Sequence, residues 1–166
     1  MDHPHHEHQH HAHPSHGSRG AGPSLNSVAL RATIHCLSGC AVGEVLGMVI
    51  GTALGFSNVA TIAIAVALAF VFGYAFTLFP LVRSGMRFAT AAKVALAADT
   101  ASIALMELVD NGLMLAIPGA MDAGLASNLF WGALGVSLLI AGAAAFPLNR
   151  WLISKGRGHA LAHVAP

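Results

Sequence analysis

The sequence predicts an all-α fold, an integral membrane four-helix bundle that follows a disordered, His-rich N-terminal tail. Hydrophobic residues make up 55% of the 166 residues and charged residues only 9%, whereas a soluble domain carries about 25% charged residues. Four apolar stretches each approach the roughly 20 residues needed to cross a bilayer. All eight lysines and arginines fall on one side of the membrane when the chain crosses it four times, as the positive-inside rule expects.

The chain divides into three segments. Residues 1–26 are polar and cannot bury a core, so we expect a disordered cytoplasmic tail. Residues 27–154 form the transmembrane domain, and residues 155–166 form a short cytoplasmic C-terminal tail. The predicted spans cover residues 27–54, 58–81, 91–117 and 128–153. No apolar signal sequence precedes the first span, so we expect that span to be retained.

The third span is the weakest, because Asp99, Glu107 and Asp110 interrupt it. The basic residues test whether it crosses the membrane. With three spans instead of four, the basic residues that follow the last span would move to the side opposite the others. The positive-inside rule therefore selects four spans, with both termini in the cytoplasm.

Two ridges run along the first span. Glycines recur every four residues and form a face on which another helix can pack closely. These are Gly39, Gly43, Gly47, Gly51 and Gly55. One residue further along lies a second ridge, which holds Cys36, Cys40, Glu44 and Met48. Positions four residues apart share a helix face, so we expect the polar and sulfur groups to face the bundle interior together.

The third span carries a matching polar face. Asp99, Met106 and Asp110 fall on one side of the predicted helix, with Glu107 beside them. If this face meets the second ridge, the interior holds a column of thiols, thioethers and carboxylates. The column contains no lysine or arginine, so protons on the acids or a bound cation must balance its charge.

Helical rise predicts the depths of these groups in the membrane. We take Arg31 and Lys93 as anchors at the cytoplasmic face. The expected level pairs are Cys36 with Asp99, Glu44 with Glu107, and Met48 with Asp110.

The ligand types of the column favour a metal ion. Thiolates and thioethers prefer soft ions such as copper(I), thiolates also bind zinc, and carboxylates suit harder ions or protons. The predicted metal ligands are His35, Cys36, Cys40, Glu44, Met48, Asp99, Met106, Glu107 and Asp110. The expected cofactor is a transition metal ion, copper or zinc, with no organic cofactor. A purely structural reading stays open, because buried cysteine and methionine also serve as ordinary packing residues.

The N-terminal tail is a candidate auxiliary metal site. Its histidines are His3, His5, His6, His8, His10, His11, His13 and His16. Dense histidine tracts often bind metals, and such a tail is equally compatible with weak, opportunistic affinity.

Two functions follow from these patterns. The first is a non-enzymatic membrane protein that binds or transports a soft transition metal ion, with copper favoured. The second is an accessory or structural subunit whose glycine ridge docks a partner membrane helix or a second copy in a homo-oligomer. No nucleophile–base pair indicates an enzyme, and the scattered basic residues with a net charge of +1 indicate no nucleic-acid partner.

Three segments also resemble a known family. They are HCLSGCAVGEVLGMVIGTALG, ALAADTASIALMELVDNGLMLAIPGAMDAGL and FPLNRWLISKGRGHA. In this order they resemble the bacterial four-span membrane proteins grouped as domain of unknown function 4396, over about residues 30–163. The resemblance implies a four-helix membrane fold in the bacterial inner membrane and implies no activity. The His-rich tail lies outside it.

Overall fold

A computed structural model describes residues 23–155, which form four antiparallel α-helices. These are α1 (Leu25–Ala53), α2 (Asn58–Arg83), α3 (Phe88–Ala116) and α4 (Asn128–Ser154). Each helix covers the span predicted for it apart from, at most, one residue at its end. The predicted all-α four-helix bundle is confirmed. The tail histidines, and the disorder expected around them, lie outside the described residues.

The outer surface of the bundle is apolar, as a bilayer requires. Three helices, α1, α2 and α4, are long and apolar enough to cross a membrane. Helix α3 is as long as α1 and packs against all three other helices. Its leucines at 96, 108 and 115 are exposed, whereas Glu107 and Asp110 are buried inside the bundle. Two of the three acids that lower the hydropathy of α3 are therefore largely covered by the other helices, and the protein is a membrane protein.

Two of the three connections are tight turns of one design. After α1, the N–H groups of Gly55 and Phe56 donate to the carbonyls of Thr52 and Gly51, and Gly85 makes the equivalent turn after α2. Gly55 and Gly85 have φ values of +68° and +91°, a left-handed conformation that glycine adopts without strain. An added Cβ at Gly55 would meet nothing within 4 Å. Gly55 therefore terminates α1 and takes no part in the packing predicted for it.

The other glycines of the ridge pack against α2. The facing pairs are Gly39 with Gly73, Gly43 with Ala69, Gly47 with Ala65, and Gly51 with Thr61. A Cβ at Gly39 would lie only 2.7 Å from the Cα of Gly73. Small residues on both helices thus let the two backbones touch. The ridge is occupied by the chain's own α2, so it is not a free face on which a partner helix or a second copy can dock.

The cross-section of the bundle brings α1 and α3 together. Helices that follow one another are in contact, α4 also packs against α1, and α1 touches α3 across the centre. Helices α2 and α4 are held apart by this central contact. Side chains on the facing sides of α1 and α3 therefore meet in the interior.

The α1–α2 packing predicts a strong effect from a single methyl group. Gly43→Ala is expected to lower the stability of the purified protein by about 1–3 kcal/mol, because the new Cβ overlaps the backbone at Ala69. The measurement is the thermal unfolding midpoint in detergent. The matched control is Gly135→Ala on α4, where an added Cβ meets nothing within 4 Å. Equal midpoints for the two variants would contradict the close packing.

Candidate cation site

Most of the predicted ligands lie in the interior between α1 and α3. The buried members are Cys36, Cys40, Glu44, Met48, Met106, Glu107 and Asp110. Two further predicted ligands, His35 and Asp99, are only partly buried. The structure therefore divides the predicted column into a buried centre and a peripheral pair.

Three carboxyl groups form the buried centre. Glu44 of α1 lies beside Glu107, Asp110 and Asn111 of α3. Glu44 and Asp110 are each 1% exposed, and Glu107 is 5% exposed. We call Glu44, Glu107 and Asp110 the acidic cluster. Helices α1 and α3 run in the same direction. The turn of α1 that holds Glu44 faces the turn of α3 that holds Glu107 and Asp110.

The acidic cluster has no buried positive charge near it. Within residues 23–155 every lysine and arginine is exposed, and the buried polar residues are otherwise neutral. An ionised acid at membrane depth costs about 2.5–3.5 kcal/mol on insertion scales, and three ionised acids also repel one another. Protons or a bound cation must therefore reduce the charge of the cluster.

Few of the carboxylate oxygens in the cluster have hydrogen-bond donors. Ser137 of α4 donates to Asp110 Oδ1 at 2.5 Å, and the Asn111 Nδ2 donates to Glu107 Oε2 at 3.4 Å. Both oxygens of Glu44 and the Oδ2 of Asp110 are buried without a hydrogen-bond partner in the described structure. Buried acceptors without donors are costly, and a proton or a cation would satisfy them.

Sulfur atoms flank the acidic cluster on both sides. Cys36, Cys40 and Met106 share one hydrophobic cluster, and Cys40 lies beside both Cys36 and Glu107. Both cysteines are free thiols. Towards the other membrane face, Met48 and Met114 share a second cluster.

The depth of one predicted pair differs from expectation. Asp110 lies beside Glu44, whereas Met48, expected level with Asp110, groups with Met114 one turn further along α3. Asp99 lies beside Thr77 of α2, and the adjacent Phe76 packs against His35, so Asp99 lies close to the level of Cys36 as expected. The physical reason is that long lysine and arginine side chains reach the membrane face from a range of depths, so an alignment of Arg31 with Lys93 fixes helix register only to about one turn.

The peripheral pair contacts α2. The ring of His35 packs against the ring of Phe76 at a centroid distance of 5.9 Å, and Asp99 lies beside Thr77. Phe76 and Thr77 are adjacent in α2, so His35 and Asp99 lie at the same level of the bundle. His35 and Asp99 form a polar layer about 15 Å inside the end of the bundle where α1 and α3 begin.

Two openings reach the buried groups. A groove of about 420 Å³ between α2 and α3 is apolar apart from Glu107 and Asn111. A second cavity of about 270 Å³ lies between the α1–α2 and α3–α4 connections, where it is lined by Met48 and Asp122. Asn58 Nδ2 donates to Asp122 Oδ1 across this cavity at 3.2 Å. The acidic cluster can therefore be approached from the lipid side and the sulfur groups from the membrane surface.

The ligand set predicted from the sequence omits Ser137 and Met114. Ser137 is a lone hydroxyl in an otherwise apolar stretch of α4, which was the available signal. Met114 lies on the polar face of α3, two turns after Glu107.

The described residues form no preformed metal centre. Within residues 23–155 there is no group of three or more His, Cys, Asp or Glu side chains arranged to hold a metal ion. The arrangement is that of a membrane four-helix bundle with a buried acidic cluster between α1 and α3. The family described as a domain of unknown function (DUF4396) matches residues 26–158, and the chain belongs to this family. The resemblance expected from the sequence is thus confirmed. No curated protein and no solved structure matches the chain.

The contribution of the Ser137–Asp110 hydrogen bond to stability can be tested by mutation. Ser137→Ala is expected to lower stability by about 1–3 kcal/mol, because Asp110 loses a buried donor. The control is Ser102→Ala, since Ser102 is equally buried and its hydroxyl has no hydrogen-bond partner in the described structure. Thermal midpoints in detergent compare the two variants. A larger loss for Ser102→Ala would show that the Ser137–Asp110 contact contributes nothing.

Proposed function

We propose that this membrane protein binds a cation at the acidic cluster, and that its cargo is a soft transition metal ion, with copper favoured over zinc. One observation supports the proposal above all. Three buried carboxyl groups face one another in a bundle whose described lysines and arginines are all exposed. A cation that enters this interior replaces repulsion between like charges with attraction.

The sulfur groups favour a soft ion. Carboxylates alone suit protons or hard ions such as magnesium, whereas thiolates and thioethers select copper(I). Cys40 lies beside Glu107 and so joins the sulfur groups to the acidic cluster. An ion passing along the bundle axis would meet Met48 and Met114 on one side of the acids and the two thiols on the other.

Ion binding would be coupled to protons. In the absence of the ion, the carboxyl and thiol groups are most stable when protonated, because no positive charge offsets theirs. A metal ion binds the deprotonated forms and so releases protons, and its affinity should rise with pH. Exchange of an ion for protons across the membrane is the transport chemistry that this site supports.

The membrane orientation in this proposal follows the basic residues. Both chain ends, with the His-rich tail, are placed in the cytoplasm of a bacterial inner membrane. The tail would then deliver or buffer the metal at the end of the bundle where His35 lies.

A second candidate is a site that carries protons alone. The closeness of three buried carboxyl groups, which can share protons, and the lack of a three-ligand group within residues 23–155 favour this candidate. The metal stoichiometry of the purified protein separates the two.

The metal proposal predicts a defined loss of bound ion. Cys36→Ser combined with Cys40→Ser is expected to remove one copper(I) per chain relative to the unaltered protein, because it removes the thiol beside Glu107 and the thiol next to it. The measurement is elemental analysis of the full chain after loading with copper(I) under reducing conditions. The histidines of the tail are common to both proteins, so the difference reports on the bundle alone.

Controls guard against a change of fold. The thermal midpoint of the ion-free double variant should match that of the unaltered protein, since serine replaces each thiol with a group of similar size. Asp122→Asn, which alters an exposed carboxylate outside the acidic cluster, should leave the stoichiometry intact. An unchanged copper content in the double variant would overturn the thiol ligands, and no bundle-bound copper at all would favour the proton-only candidate.

The acidic cluster also predicts that a variant can gain thermal stability while it loses ion binding. Glu44→Gln is expected to raise the thermal midpoint of the ion-free protein by several degrees, because the glutamine amide is neutral without a bound proton and can donate to a neighbouring carboxyl group. It should also abolish any rise of the midpoint on addition of copper(I) or silver(I), since ligands stabilise only the state that binds them.

The matched control for this variant is Asp122→Asn, which should shift neither quantity. A Glu44→Gln protein that is less stable without ions, and that still gains stability with them, would show that Glu44 serves packing.

A further inference from the structure

A long apolar groove runs between α1 and α4 on the outside of the bundle. Its volume is about 640 Å³, within the range of sites that hold small molecules. The side chains that form its walls are Leu30, Ile34, Leu37, Leu139, Ala143 and Phe146. Gly142 leaves room at its floor, where an added Cβ would lie 3.0 Å from Leu37 Cδ2.

The groove ends in polar groups at one membrane face. Arg150 lies one turn beyond Phe146 on the same side of α4, and its Nε donates to Asn26 Oδ1 at 2.7 Å. Asn26 itself lines the groove. Arg150 is exposed, and its remaining guanidinium N–H groups make no hydrogen bond within the described residues. The neighbouring Trp151 is 52% exposed, as expected for an aromatic ring at the headgroup level.

The length of the groove corresponds to one leaflet. From Asn26 to Leu37, the helix rises by about 16 Å, close to half of the roughly 30 Å hydrocarbon core. A positive charge at the surface and an apolar channel that stops near the midplane match one lipid molecule of that leaflet.

We propose that this groove is a binding site for an anionic phospholipid, with one acyl chain against α1 and α4 and the phosphate at Arg150. A guanidinium group forms strong, charge-assisted hydrogen bonds to phosphate. A second copy of the chain fits the groove less well, because a helix would have to bring a counter-charge to Arg150 at the membrane face. Within residues 23–155, the acidic side chains of α1 and α3 face the bundle interior. Asp122 lies at the end of the bundle opposite Arg150.

The test is native mass spectrometry of the full chain from micelles that contain equal amounts of phosphatidylglycerol and phosphatidylcholine with the same acyl chains. One phosphatidylglycerol should remain on each chain, in preference to phosphatidylcholine. Arg150→Gln should lower this retention about tenfold and remove the preference, as expected for loss of one charged contact. Glutamine can still donate to Asn26, so the link between α1 and α4 persists.

A second variant tests the apolar part of the site. Ala143 is exposed to the groove, so Ala143→Phe should fill it without disturbing the core and should abolish retention of both lipids. The matched controls are Arg83→Gln, an exposed arginine on the same membrane face that packs over Phe79, and Ala101→Phe, an exposed alanine on α3. Both controls should retain phosphatidylglycerol.

Three results would overturn the proposal. These are equal retention of the two lipids by the unaltered chain, unchanged retention in Arg150→Gln, and a lipid-free dimer that Ala143→Phe dissociates. The last result would assign the groove to a second copy of the chain.

Discussion

The close contact between α1 and α2 determines the rest of the structure. Four glycines of α1 lie against small residues of α2, so the two backbones touch and α1 cannot rotate about its axis without a steric clash. The second ridge lies one residue along from the glycines, and this fixed rotation turns Glu44 towards α3. A packing constraint that involves no charge thus sets the direction of the most polar side chains in the membrane. The acidic cluster depends on glycines that it does not contact.

The sequence was sufficient to predict the helices and the faces that meet. Hydropathy marks four apolar stretches, of which the third is the weakest because Asp99, Glu107 and Asp110 interrupt it, and the one-sided basic residues support its assignment as a span. Four-residue spacing placed Cys40 and Glu44 on an inward face, and both are buried.

The sequence did not predict the details that depend on contacts between helices. The register of α1 against α3 follows from the fit of side chains, so the pairing of Met48 with Met114 could not be read from Arg31 and Lys93. Ser137 could not be assigned to Asp110, because spacing within α4 carries no information about its neighbour. Gly55 fits the four-residue glycine pattern, yet it lies past the end of α1. Repetition in sequence does not show where a helix stops.

The burial of acids in α3 has a consequence for how the chain enters the membrane. An isolated α3 would present Glu107 and Asp110 to lipid, at about 2.5–3.5 kcal/mol for each ionised acid near the helix centre. Helices α1 and α2, joined by a short turn, can insert as a pair before α3 leaves the ribosome. In the folded bundle, α1, α2 and α4 pack around α3 and cover these acids. The third helix is therefore the span whose placement in the membrane gains most from the presence of its neighbours.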